Sequence, residues 1–224
     1  MADTHLQPPS AVIFDMDGTL LDTEAVEHAA HAAAARTIGR ELPAELLLQF
    51  VGVHREGNLA RLHNLWGDAE TPLAFYRESD RLFEEMWRRG VPFRPGAMEL
   101  LDALRADGLP LGLCTSTRAP NAQERLRAAG ILDRFATVVT VSDVTNPKPH
   151  AEPYLLAAQR LGVDPMACVA VEDSPNGLKA AAAAGMMALL VPDLAPVTPE
   201  TQALATAVLP DLHAVGRWIT ELHG

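Results

Sequence analysis

Five runs of four or five residues, at positions 11–14, 110–114, 137–141, 168–171 and 187–191, are apolar at nearly every position. A strand with one wet face alternates polar and apolar residues. Continuous runs instead predict strands covered on both faces, as in a parallel sheet wrapped by helices. Each run ends in polar residues, and helical stretches at 97–106, 120–129, 150–161 and 176–184 lead from one run to the next. This is repeated β–α winding, an α/β fold of Rossmann-like type.

One interval breaks the pattern. About ninety residues separate the first two runs, where a crossover needs only about a dozen. Residues 25–38, 43–50, 56–65 and 72–89 read as helices, with Phe75, Phe83, Met86 and Trp87 at core-forming spacings. The stretch Gly90-Val91-Pro92-Phe93-Arg94-Pro95-Gly96 reads as a return linker. The expected organisation is a core of residues 1–21 and 91–224 interrupted by a small helical insert at 22–90.

The charge balance narrows the partners. Eighteen Lys and Arg stand against 29 Asp and Glu, a formal charge of −11, which removes the positive footprint that nucleic acid or an anionic membrane requires. An anionic ligand must therefore be held locally. Only two of the basic residues are lysines, Lys148 and Lys179. Cys114 and Cys168 lie in apolar runs and read as reduced, buried thiols. The first ten residues lack the basic start and apolar middle of a signal peptide, and the longest apolar run has about a dozen residues where a membrane span needs ~18. The expectation is a cytoplasmic protein, with a monomer as the default state.

In wound α/β sheets the ligand crevice lies outside the carboxyl ends of the strands. The first run exits into Asp15-Met16-Asp17-Gly18-Thr19-Leu20, the second into Thr115-Ser116-Thr117 and the fourth into Glu172-Asp173-Ser174, while Asn146-Pro147-Lys148-Pro149 follows the third. Four carboxylates converging in an apolar scaffold need countercharge, and a divalent cation supplies it economically. Hard oxygen donors beside an open cleft suit Mg²⁺, whereas the eight scattered histidines offer no zinc set. Asp15 and Asp17 alternate along extended backbone, so their side chains diverge and can take different roles. One can attack phosphorus; the other can protonate the leaving oxygen and then deprotonate water. Gly18 permits a tight turn beside a phosphate, Thr115 can donate to a phosphoryl oxygen, and Lys148 can neutralise the transferring group.

Each motif alone also has a structural reading. Asp-Gly is turn chemistry, Thr115–Thr117 can cap a helix, Lys148 can be a solvated loop charge, and Glu172-Asp173-Ser174 favours a helix start. Taken together and in order, Asp-Met-Asp-Gly-Thr-Leu, the strand ending in Thr-Ser, Lys-Pro and Val-Glu-Asp-Ser resemble the haloacid dehalogenase superfamily. The likeness is strongest to the subgroup of β-phosphoglucomutase and small phosphosugar phosphatases.

The resemblance implies a sheet ordered five-four-one-two-three and a helical cap that closes over the crevice. It implies Asp15 as nucleophile, Asp17 as acid/base, and phosphate binding by Gly18, Thr115, Ser116 and Lys148. The implied Mg²⁺ ligands are Asp15, Glu172, Asp173 and the backbone carbonyl of Asp17. Gly52-Val53-His54-Arg55-Glu56 resembles the cap segment whose Arg faces substrate, which makes Arg55 the cap candidate; an Arg there can equally serve solubility.

The function expected is a Mg²⁺-dependent phosphatase acting on a small, phosphosugar-like monoester through an aspartyl-phosphate. Polyol phosphates and nucleoside monophosphates fit as well. A phosphosugar mutase is the alternative, but the His that often lies twelve positions after the nucleophile is displaced to His28, with Glu27 in its place. Phosphonate C–P hydrolysis would need a cap Lys, and residues 22–90 contain none. A non-enzymatic phosphate sensor of receiver type would lack the long insert.

Overall fold

The computed structural model describes residues 6–50, 55–193 and 196–222. The chain divides into two compact units, Met1–Leu21 with Pro92–Gly224, and Asp22–Val91. The second unit ends one residue later than the expected position 90.

Strand β1 (Ala11–Phe14) is fully buried along its length, as four consecutive apolar residues require. After Leu21 the chain enters the helical unit: α1 (Thr23–Thr37), α2 (Ala44–Leu48), α3 (Arg55–Trp66) and α4 (Glu70–Arg88). Asp22 starts α1 by accepting the Ala25 N–H. Ala30, His31, Ala34 and Ala35 form the buried face of α1; the small side chains leave room for Phe50, Leu62, Phe75 and Tyr76. The His31 ring stacks on Phe75 at 5.3 Å and meets Phe50 and Tyr76 edge-on. Burial pushes its imidazole down to about 4, so His31 is a neutral core residue.

The chain returns at Leu21–Phe93, an antiparallel bridge seconded by the Arg94 N–H donating to Leu20 O at 2.9 Å. Arg94 also reaches Asp193 at 2.6 Å. Then follow α5 (Ala97–Ala106), β2 (Leu111–Thr115), α6 (Asn121–Ala128), β3 (Thr137–Thr140), α7 (Glu152–Leu161), β4 (Cys168–Glu172), α8 (Pro175–Ala183) and β5 (Met187–Leu190). The sheet is parallel throughout, in the order β3-β2-β1-β4-β5 with a further strand beyond β5. Read from its other edge, this is the five-four-one-two-three order that the resemblance implies. Cys114 and Cys168 are buried free thiols.

Two differences from the expected elements have physical causes. Strands β2 and β4 take in one polar residue each, Thr115 and Glu172, because the ladder continues where the side chain turns inward. Pro110 lies outside β2, since it has no N–H, although its carbonyl accepts the Val12 N–H at 3.2 Å. The chain after 191 carries three elements the sequence reading did not give: α9 (Pro199–Leu204), β6 (Ala207–Val208) and α10 (Leu212–Glu221). β6 has two residues and exposes Val208, too little for a periodic signal. Among the described residues no helix is long and apolar enough to cross a membrane.

Candidate active site

Register places the site. Phe14 pairs with Leu113 of β2 and with Val171 of β4, so Asp15 emerges one step beyond both pairs. Its N–H still donates to Val171 O at 3.0 Å, which ties the residue to the sheet edge. The chain then folds back at once. Met16 O accepts from the Leu20 and Leu21 amides at 3.1 and 3.0 Å, and the Gly18 N–H donates to Leu21 O at 2.8 Å. The Gly18 amide thus closes the turn. Its φ of 81° suits glycine, and a Cβ there would lie 2.5 Å from Asp173 Oδ2. Thr19 Oγ1 donates to the same carboxylate, at Oδ1, over 2.9 Å.

Lys148 sits in the middle of the acids. Its Nζ donates to Asp15 Oδ1 at 2.6 Å, to Glu172 Oε1 at 2.6 Å and to Cys114 O at 2.8 Å, with the Tyr154 ring 5.2 Å away. Tyr154, on α7, donates its hydroxyl to Glu172 Oε1 at 2.5 Å, and Ser174 Oγ reaches Oε2 at 3.2 Å. Glu172 is fully buried, and Gly177 of α8 makes room for it: a Cβ there would fall 1.9 Å from Oε1. Glu152 braces the loop before Lys148 by accepting the Thr145 and Asn146 amides at 2.8 and 2.9 Å.

The electrostatics show an excess of negative charge. Burial, with further repulsion from Glu172 and Asp17, pushes the Asp15 carboxyl up to about 8 despite Lys148 beside it. Burial, then Asp15 and Glu172, also raise Asp173 well above the carboxylate range. Burial works against the Lys148 ammonium, but Asp15 and Glu172 outweigh it and hold Lys148 well above its ordinary value. Tyr154 is held far up by burial and by Glu172, so it remains a neutral donor, and burial pushes the Cys114 thiol up to about 12.

Asp17 belongs to a different environment. Its Oδ2 accepts from Thr117 Oγ1 at 2.7 Å and, at the limit of a hydrogen bond, from Thr115 Oγ1 at 3.5 Å. Arg125 on α6 lies 3.7 Å from Oδ1. Ser116, between the two threonines, is exposed.

The donor set fits a hard divalent cation. Asp15, Glu172 and Asp173 each offer a carboxylate oxygen, all within 4.8 Å of one another, and the upward shifts of Asp15 and Asp173 mark charge that one ammonium does not balance. The Asp17 carboxylate is not in that cluster. In the helical unit, Arg55 pairs bidentately with Asp80 at 2.6 and 3.1 Å and lies over the Tyr76 ring at 4.5 Å. Gly52, Val53 and His54 of the motif around it lie outside the described residues. The sequence reading gave no role to Thr19, Arg125 or Tyr154. Thr19 lies inside the Asp-Met-Asp-Gly-Thr-Leu motif, and Arg125 and Tyr154 carry only the signature of ordinary helix residues.

A doubly covered parallel sheet whose central strand delivers one aspartate to a lysine-bridged acid cluster and a second to a threonine–arginine site beside it suits an α/β enzyme of the phosphoryl-transfer kind. The haloacid dehalogenase-like hydrolase model matches residues 9–185. The chain is 36% identical over 222 residues to the Drosophila melanogaster protein named "Probable pseudouridine-5'-phosphatase", covering 95% of this chain and 94% of that one. It is 34% identical over 180 residues to the "Phosphorylated carbohydrates phosphatase" of Thermotoga maritima, covering 79% and 82%. Among solved structures, a HAD family hydrolase from Deinococcus radiodurans R1 with bound phosphate and sodium superposes with a TM-score of 0.84 at 30% identity, over 96% of this chain and 97% of that one. The chain belongs to the haloacid dehalogenase-like hydrolases, and its Drosophila melanogaster and Thermotoga maritima relatives are phosphatases by name.

Proposed function

We propose that the protein is a Mg²⁺-dependent phosphatase that hydrolyses a small, phosphosugar-like monoester through an aspartyl-phosphate on Asp15. The observation that carries this reading is the separation of the two aspartates. Asp15 is bound into the Lys148 cluster, while Asp17 is held by Thr117 and Arg125. Two acids in unlike surroundings can serve as nucleophile and as proton carrier.

Asp15 attacks phosphorus, and the bond to the ester oxygen breaks as that oxygen takes a proton from Asp17. A water then attacks the phosphorus of the aspartyl-phosphate and gives its proton to Asp17, releasing phosphate and restoring both carboxyls. Lys148 balances charge on the transferring group, and Thr115 and Ser116 donate to its oxygens. Gly18 keeps the turn clear of Asp173. Asp15, Glu172, Asp173 and the Asp17 carbonyl would hold Mg²⁺, which when bound supplies the positive charge that lets Asp15 approach an anionic ester. Arg55 is the proposed substrate contact from the helical unit. The buried reduced thiols suit a cytoplasmic enzyme, which we take to be a monomer.

A phosphate-release screen over sugar, polyol and nucleoside monophosphates, with and without EDTA, tests this. Free phosphate that disappears with EDTA is expected. A hexose 1-phosphate converted to an isomer without phosphate release would establish a mutase instead.

A further inference from the structure

We infer that Thr117 is a positioning residue that fixes the Asp17 carboxylate for proton delivery to the leaving group. The inference rests on the proposed acid role of Asp17 and adds a residue to which no role is otherwise given. Thr117 Oγ1 donates to Asp17 Oδ2 at 2.7 Å, while Thr115 Oγ1 lies at 3.5 Å from the same oxygen. The two hydroxyls thus divide their work. Thr115 accepts the Thr117 N–H at 3.0 Å, which fixes its oxygen and leaves its own hydrogen for a phosphoryl oxygen. Thr117 serves Asp17.

The arrangement also explains how two aspartates two residues apart escape one another's fate. Asp15 is gripped by Lys148, which also binds Glu172 at the end of β4; Asp17 is gripped from the opposite side, by Thr117 in the segment after β2 and by Arg125 on α6. A carboxylate without such a partner rotates about its side-chain bonds. Holding it in one rotamer matters when a proton must pass over a single hydrogen-bond length. The step itself is that of the hydrolysis: the Asp17 proton goes to the ester oxygen as its bond to phosphorus breaks, and Asp17 is left as the carboxylate that Thr117 continues to hold.

The test compares p-nitrophenyl phosphate, whose leaving group departs without a proton, with phenyl phosphate, whose leaving group needs one. In Thr117→Val, which keeps the shape and removes the donor, the ratio of kcat/KM on p-nitrophenyl phosphate to kcat/KM on phenyl phosphate, which excludes the later attack of water, should rise about tenfold or more. Thr117→Ser should restore the native ratio. An unchanged ratio, or an equal fall on both esters, overturns the assignment. Should Thr117→Val not fold by circular dichroism, Thr117→Ala carries the same comparison. Asp17→Asn is measured alongside. If it shows the split and Thr117→Val does not, only the role of Thr117 fails; if Asp17→Asn spares both esters, the acid assignment itself is wrong.

Discussion

The Tyr154 hydroxyl donates to Glu172 Oε1 at 2.5 Å with both side chains fully buried, and Lys148 binds the same oxygen at 2.6 Å. Two donors on one oxygen keep a buried carboxylate satisfied. Tyr154→Phe removes one of them and leaves the anion short of a partner, at a cost of about 1–3 kcal/mol. The melting temperature should fall by about 2–4 °C for each kcal/mol lost. A variant that melts with the native protein would show that Lys148 and Ser174 suffice for Glu172.

Gly177 reverses the usual rule for helices. Glycine to alanine in a helix ordinarily gains up to ~1 kcal/mol. Here the added Cβ would stand 1.9–2.0 Å from the Glu172 carboxylate. Gly177→Ala should therefore destabilise the protein in urea and weaken Mg²⁺ binding measured by calorimetry. A stabilised variant with native Mg²⁺ affinity would contradict the placement of Glu172.

The raised acids predict how stability follows pH. The Asp15 carboxyl moves from an ordinary 3.8 to about 8 in the folded chain, with Asp173 displaced in the same direction. Between those limits the folded state keeps a proton that the unfolded chain releases, so stability without metal declines as pH rises from about 4 to about 8. Mg²⁺ must displace that proton almost fully at pH 6 and only in part at pH 8. Its thermal stabilisation over EDTA should accordingly be larger at pH 8 than at pH 6 in a fluorimetric melt. The reverse order would mean the carboxyls are not raised.

Asp15→Asn and Asp17→Asn separate the two chemical roles. Asp15→Asn should cut turnover of p-nitrophenyl phosphate by at least about a thousandfold, because the nucleophile is gone, while Lys148 retains Glu172 and the fold. In kcat/KM, Asp17→Asn should lose about 10²–10⁴-fold on esters of poor leaving groups and much less on p-nitrophenyl phosphate. Circular dichroism checks the fold in each case. Substantial residual activity of Asp15→Asn would exclude it as nucleophile.

Much of the frame was readable before any coordinates. The run at 11–14 coincides with β1, and the run at 97–106 with α5, because continuous burial and helical periodicity leave few alternatives. The cluster of Asp15, Glu172 and Asp173 lies where strand exits were expected to converge. What escaped notice depends on side-chain reach across the sequence. Tyr154 sits 18 positions from Glu172 and Thr117 a hundred from Asp17, separations that carry no local pattern. The rotamer that turns Asp17 away from the acid cluster is likewise set by distant partners, Thr117 after β2 and Arg125 on α6. Short β6 carries no periodic signal, whereas α10 has a clear apolar face of Leu212, Val215 and Ile219 that is legible in the sequence, although the sequence reading gave no helix there.

The junction at Leu21 and Phe93 has one more consequence. Both ends of the seventy-residue excursion Asp22–Val91 are stapled side by side on the catalytic unit, through the Leu21–Phe93 bridge and the Arg94 amide on Leu20. To the sheet, whatever lies between them is a single closed loop, whose length costs little once its feet are joined. Such a chain is therefore built like a socket: a helical insert of another length could be seated between the same two feet without disturbing the sheet.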